Sequence, residues 1–421
     1  MYICNHNANS HNLLLSMIPR TLATYLRQAI EYFPVVACLG PRQSGKTTLV
    51  RETFGTLPYV SLENLDTRDF ALSDPRGFLA TYPHGAVFDE VQRTPQLLSY
   101  LQGIVDEAEK QISSSIRFVL TGSHNFLLHQ ALTQSLAGRV ALTTLLPFSL
   151  EELHSTLAEE HNVFLQNYEQ LIWSGTYPRI LAGGIPANQW LPNYIATYIE
   201  RDVRQIQAIT DLAQFTLFLK MCAGRTGQIL NLSAMANECG ISPNTAKAWI
   251  HLLEASYILF KVPPYHQNFN KRLIKAPKLY FYDTGLACSL LGIQSPEQVE
   301  SHFARGALFE TMIIAEIKKW FFHRGKQAHI SYWRDSNGNE IDLLCEYTPE
   351  QGSARRIAFE IKSGRTIASS MFKNLLQWQS MSGDRAEDSL LIYGGDEEQK
   401  RSAAHVVSWR HTTNHLCGSF P

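Results

Sequence analysis

One short stretch constrains this chain more than anything else in it. Residues 40–48 read Gly-Pro-Arg-Gln-Ser-Gly-Lys-Thr-Thr and follow the apolar run Val35–Leu39. The spacing G-x-x-x-x-G-K-T, set between an apolar strand and a helical stretch, is that of a phosphate-binding loop. Its two glycines let the backbone curl until successive N–H groups face one anion, and the following helix adds its positive N-terminus. Lys46 is placed to reach the β- and γ-phosphates, and the Thr47 hydroxyl to ligate Mg²⁺. The expected ligand is ATP with Mg²⁺. The candidate nucleotide contacts are Gly40, Pro41, Arg42, Gln43, Ser44, Gly45, Lys46, Thr47 and Thr48.

Such a loop needs an acid at the end of a second buried strand. Ala86-Val87-Phe88-Asp89-Glu90 supplies it. Asp89 is expected to hold the magnesium, and Glu90 to orient and polarise the attacking water. A third strand ends in Thr121-Gly122-Ser123-His124-Asn125. Ser123, with Asn125 in reserve, is the candidate contact to the γ-phosphate or the water; plain turn chemistry is the competing reading. Arg139 reads either as an arginine finger, in cis or on a neighbouring subunit, or as a salt-bridged surface residue.

The rest of the chain sets the frame. Its 421 residues allow two or three cored domains, and 45% apolar against 18% charged residues excludes a disordered chain. A net charge of −1 removes any basic field over the whole molecule, so contact with nucleic acid would need a local patch. Seven dispersed cysteines without a CxxC pair suit a reducing, cytoplasmic setting. No apolar run approaches the ~18 residues of a membrane span. Strands are expected at Val35–Leu39, Tyr59–Leu62, Ala86–Asp89, Phe118–Thr121 and Val140–Leu145, with helices between them, as in a parallel α/β sheet. From about Asn188 to Ser256 the pattern is helical without strand signals. Residues 1–17 read as a disordered leader, with Met17 an alternative start, and residues 401–421 as a tail, loose after about His411.

The combination GPRQSGKTT, VFDEVQ, FVLTGS and SLAGR resembles a family of prokaryotic AAA-type ATPases. In that family the ATPase domain precedes a long C-terminal region of uncharacterised function. The resemblance covers roughly residues 18–395. It implies an additional-strand P-loop NTPase core in which the catalytic Glu follows the magnesium Asp. It implies no biological role.

Two further blocks follow. Leu232–Cys239 reads as a short helix, Gly240-Ile241-Ser242 as a tight turn, and Pro243–Ala255 as a second helix capped by Ser242. That is helix-turn-helix patterning, with Asn244, Thr245, Lys247 and Ala248 near the exposed start of the second helix. Lys261, Lys271, Arg272, Lys275 and Lys278, with Tyr265 and Phe269 among them, would make a basic wing; a solvated loop is the competing reading.

The last block opens with a helix from Arg305 to about Phe322. Two strands around an Asn337-Gly338 turn follow, then a strand Arg356–Lys362. This order matches the scaffold of restriction-like nucleases, and the family resemblance points the same way. Asp342 and Glu360 would share a Mg²⁺, Lys362 lies on the same strand face two residues on, and Glu310 would complete the acidic cluster. Binding without cleavage, or a structural relic, are the competing readings.

The fold expected is therefore α/β: an AAA-type P-loop NTPase over 18–155, a helical winged-helix module over 156–280, and a restriction-endonuclease-like domain over 281–400. The function expected is ATP hydrolysis coupled to double-stranded DNA. The alternative is a nucleotide-dependent regulatory or scaffold protein with a protein partner and no cleavage. A ring or dimer is required only if Arg139 acts in trans.

Overall fold

The computed structural model of the chain describes residues 18–109, 116–123, 132, 134–156, 163–198, 211–265, 276–347 and 355–417. The first block is a five-stranded parallel sheet of β1 (Val35–Gly40), β2 (Tyr59–Ser61), β3 (Val87–Asp89), β4 (Phe118–Ser123) and β5 (Val140–Thr144). Its order is β2-β3-β4-β1-β5, so β4 lies between the loop strand β1 and the acid strand β3. All six residues of β1 are buried, as a central parallel strand covered on both faces requires. Period-two alternation divides them. Val35, Ala37 and Leu39 pack with Phe78, Phe88 and Leu101 on one face. Val36 and Cys38 pack with Leu22, Leu26 and Leu49 on the other.

The middle block packs helices Leu212–Gly224, Leu232–Glu238 and Pro243–Ala255 against a small antiparallel sheet of β6 (Gln228–Ile229), β7 (Leu259–Val262) and β8 (Lys278–Phe281), in the order β6-β8-β7. Ser242 accepts a hydrogen bond from Thr245 N at 3.0 Å, and Pro243 stands first in the helix. Phe215 and Phe218 meet the Trp249 ring edge-on at 5.3 and 5.4 Å. Two expectations change here. Residues 188–256 are not strand-free, because β6 pairs with β8. A boundary at 280 would cut β8, whose last residues pair with β7.

The third block is a six-stranded mixed sheet of β9 (Ile330–Arg334), β10 (Glu340–Tyr347), β11 (Arg355–Lys362), β12 (Ser389–Tyr393), β13 (Gln399–Lys400) and β14 (His405–Ser408). Its order is β13-β14-β12-β11-β10-β9. Helix Arg305–Phe322 covers one face, through Phe309 and Ile313 against Leu343, Phe359 and Ile392. Helix Lys373–Ser382 covers the other, through Leu375 and Trp378 against Leu344, Ala358 and Leu391. Helix Asn414–Cys417 stands where looseness was expected after about His411, and residues 401–411 do not form a separate tail. There β14 pairs in parallel with β12, and Val406, Val407 and Trp409 are buried. No helix among the described residues is long and apolar enough to cross a membrane. The leader, residues 1–17, and Asn125 lie outside the described residues.

Candidate functional site

The phosphate loop is shaped by close backbone approach. Gly40 has φ +150°, and a Cβ there would sit 2.2 Å from the Leu145 carbonyl oxygen, so only glycine fits. Gly45 (φ +95°) starts helix Lys46–Thr53 with no side chain capping its first N–H groups, which stay available to an anion. Ser44 Oγ, fully buried beside them, has no hydrogen-bond partner. Lys46 is buried and folds back on the loop, donating to the carbonyls of Gly40 at 3.1 Å and Pro41 at 2.8 Å. Burial pulls its ammonium below the ordinary lysine value, against the opposing pull of Glu90 and Asp89.

The acid strand meets the loop. Thr47 Oγ1 donates to both Asp89 carboxylate oxygens, at 3.2 and 3.0 Å. Asp89 also accepts from Tyr59 OH at 2.5 Å and from Thr121 Oγ1. Burial, then the carboxylate beside it, holds the Tyr59 phenol well above its usual range, so it stays a donor. Glu90 follows with φ +60°, a left-handed conformation uncommon outside glycine, which turns the chain into the short helix Val91–Arg93. Gln92 Nε2 donates to Glu90 Oε2 and, at 2.9 Å, to Ser123 Oγ. The amide thus joins the ends of β3 and β4, while its buried Oε1 has no partner. Those open polar atoms, an uncapped helix start and a threonine–aspartate pair together fit a nucleotide phosphate with its divalent ion. Tyr59, Thr121 and Gln92 were not singled out from the sequence. Arg139 is paired with Asp106 of helix Leu97–Glu109 and with the Ala137 carbonyl, not with the loop.

The carboxylates of the third block do not gather as expected. Asp342 lies within a β-bulge between Ile341 and Leu344 and accepts from Ile361 N at 2.7 Å. Lys362 Nζ lies 2.6 Å from Glu360 Oε1 and 3.6 Å from Asp342 Oδ2. Glu360 is buried, and its Oε2 has no partner. Burial, then the Asp342 charge, pushes its carboxyl up to about 8. Glu310 turns elsewhere, accepting from Lys278 Nζ at 3.0 Å and Tyr280 OH at 2.6 Å. Among the described residues no group of three or more His, Cys, Asp or Glu side chains is placed to hold a metal ion. Lys362 stands beside both Asp342 and Glu360, leaving Glu360 Oε2 open, and the trio with Glu310 does not form: Glu310 is bonded to Lys278 and Tyr280 instead.

The basic wing is also reduced. Lys278 is 2% exposed and bonded to Glu310 and Glu340. Lys261 pairs with Glu254 at 2.9 Å. Tyr265 is buried, its hydroxyl accepting from Arg356 Nη1 at 2.6 Å. Phe269, Lys271, Arg272 and Lys275 lie outside the described residues.

Comparison with known proteins accords with this division. Residues 32–154 match an AAA domain, residues 165–297 a domain of unknown function (DUF8612), and residues 305–411 a second (DUF4143). An uncharacterized protein of Mycobacterium tuberculosis is 29% identical over 373 residues, covering 86% of this chain and 78% of its own length. An uncharacterized protein of Methanocaldococcus jannaschii is 21% identical over 457 residues, covering 93% and 91%. Among solved structures, a Walker-type ATPase of Pyrococcus abyssi is similar at 16% identity and TM-score 0.44, covering 65% of this chain and 96% of that one. Residues 32–154 of the chain thus match an AAA domain, and residues 305–411 match a domain whose function is unknown.

Proposed function

We propose that the chain is a magnesium-dependent ATP hydrolase. The observation that carries this reading is the hydrogen bond from Thr47 to Asp89, which couples the loop helix to the acid strand. Gly40 to Thr48 would wrap the phosphates, Lys46 leaving its own loop carbonyls for the γ-phosphate. Thr47 and Asp89 would hold Mg²⁺, which when bound offsets phosphate charge. Glu90 would accept hydrogen bonding from the attacking water and align it. Ser123 is the candidate contact to the transferred group, and Gln92 ties it to Glu90.

A second reading, for the C-terminal half, is favoured by the order β6-β8-β7 behind the helix pair. A first strand paired to the third, and the third to the second, is the sheet of a winged helix, and Asn244 and Lys247 stand exposed on the second helix. We take residues 211–281 as such a module, able to meet a DNA backbone through that helix. The convergence of Asp342, Glu360 and Lys362 supports a restriction-nuclease-like third domain. An ATP-driven DNA enzyme follows from the two together.

The test is ATP turnover by wild type and Glu90→Gln, with and without double-stranded DNA, scoring plasmid nicking in the same tubes. Turnover lost in Glu90→Gln supports the hydrolase. Stimulation by DNA, with nicking that disappears in Asp342→Ala, supports the DNA enzyme. Turnover indifferent to DNA with intact plasmid favours a regulatory or scaffold protein acting on a protein partner. No turnover in wild type refutes the hydrolase.

A further inference from the structure

We infer that Arg20, Glu152 and His323 are positioning residues that fasten the phosphate loop to the last block of the chain, so that residues beyond 300 help to set nucleotide affinity. The inference rests on the nucleotide reading of the loop.

Arg20 precedes the first described helix, Leu22–Tyr32, and its side chain is 6% exposed. Every nitrogen of its fork is committed. Nη1 donates to the Ser44 carbonyl at 2.7 Å, Nη2 to the Leu146 carbonyl at 2.6 Å, and Nε to Glu152 Oε1 at 3.1 Å. Ser44 C=O and Gly45 N–H belong to one planar peptide and point opposite ways. Holding the carbonyl therefore aims the N–H, and Gly45 N–H is one of the donors that a phosphate in this loop would meet.

Glu152 fixes Arg20 in turn. It accepts from Thr21 N at 2.9 Å and Ser149 N at 3.0 Å. Burial alone would raise its carboxyl, but Arg20 and His323 hold it far below the usual carboxylate range. His323, directly after helix Arg305–Phe322, places Nδ1 3.3 Å from Glu152 Oε1 and accepts from Leu146 N at Nε2, also at 3.3 Å. The same helix grips the segment leading to Glu152 twice more. Glu316 Oε2 accepts from Leu150 N at 2.7 Å, and Lys319 Nζ donates to the Phe148 carbonyl at 2.9 Å. Arg20, Glu152, Glu316, Lys319 and His323 are all buried.

A purely structural contact between two blocks is served as well or better by apolar packing, because buried charges carry a desolvation cost. What marks this chain is its end point on a loop carbonyl. It runs from the last block, through buried side chains, to the peptide that aims a phosphate donor.

The experiment uses the full chain and Mg-ADP as the probe. Calorimetric Kd values are compared for wild type, Arg20→Lys and His323→Phe, with kcat and KM for ATP and melting without nucleotide. Arg20→Lys keeps the charge but loses the fork, and is expected to raise Kd and KM roughly tenfold while kcat changes less than about threefold. His323→Phe, far from the loop in sequence, is expected to raise Kd by roughly threefold or more; His323→Asn, which keeps a donor, should recover part of it. If Arg20→Lys does not fold, Glu152→Gln takes its place, with the same expectation. Unchanged Kd in the folded variants, with only the melting temperature lowered, would show a structural bond and overturn the inference. Wild type that does not bind Mg-ADP would overturn the nucleotide reading beneath it, a result distinct from unaltered variants.

Discussion

Gln92→Leu isolates the residue that ties in place the Glu90 carboxylate, the group proposed to orient the attacking water. The side chain keeps its approximate size but loses the amide that donates to Glu90 Oε2 and Ser123 Oγ. Glu90 sits on a left-handed backbone, with its own N–H 3.4 Å from Thr121 Oγ1. Among the described residues, little besides the Gln92 amide then fixes where its carboxylate points. A hydrogen bond to a charged group contributes about 1.5–3 kcal/mol, which at about 1.4 kcal/mol per decade corresponds to a roughly 10- to 150-fold fall in kcat. Gln92 makes no bond to the loop, so the Kd for Mg-ADP should stay within about twofold of wild type. A coupled ATPase assay gives kcat, and calorimetry gives Kd. Because the residue acts through Glu90, adding Gln92→Leu to Glu90→Gln should cost little more than Glu90→Gln alone. An unchanged kcat, or a second loss of full size in the double variant, would refute the reasoning.

Two further outcomes concern the last block. Lys278→Met leaves Glu310 and Glu340 without their shared buried partner and is expected to cost about 3 kcal/mol in urea unfolding; adding Glu310→Gln should restore part of it, and a neutral Lys278→Met would show that the pair is not maintained in solution. The Glu360 carboxyl, raised to about 8 by burial and the Asp342 charge, keeps its proton in the folded chain well above the roughly 4.3 at which an exposed glutamate loses it. The folded state thus binds more protons between those values, so stability falls as pH rises through that window, by at most about 1.4 kcal/mol per unit from this group. Urea midpoints at intervals across it should flatten in Glu360→Gln, and an identical slope would remove Glu360 as the cause.

The phosphate loop was legible because its chemistry is local. Nine consecutive residues carry the spacing, and the strand before and helix after follow from Val35–Leu39 and the residues beyond Lys46. Asp89 and Glu90 were legible because an apolar run ending in acid is itself a pattern, and β1 to β5 fell where alternation and burial place them. The partners were not. Tyr59, Thr121 and Gln92 reach Asp89 and Glu90 from other strands or a turn, and no spacing in the sequence encodes a crossing that only the order β2-β3-β4-β1-β5 creates. Lys278 and Tyr265 read as exposed wing residues because one lysine and one tyrosine look alike on a loop and under a sheet. Their burial is set by Glu310 and Glu340 for one, and by Arg356, Trp333 and Trp378 for the other. Residues 401–421 read as a tail for want of a visible partner, since His405–Ser408 is a strand only beside β12.

The junction between the middle and last blocks governs more than geometry. β9 is the outermost strand of the six-stranded sheet, and its free edge is met by the residues that leave β7. Tyr332 N donates to the Pro263 carbonyl at 3.0 Å, and Tyr265 N to the Tyr332 carbonyl at 2.7 Å. An uncovered edge strand is a template for pairing with another chain. Here the cover is a proline-bearing segment that contributes a short stretch of pairing and cannot itself propagate a long one. A fragment begun at residue 305 would lose that cover together with Lys278, exposing a strand edge and taking from Glu310 its lysine partner at once. The last block thus depends on the block before it to close this edge of its sheet.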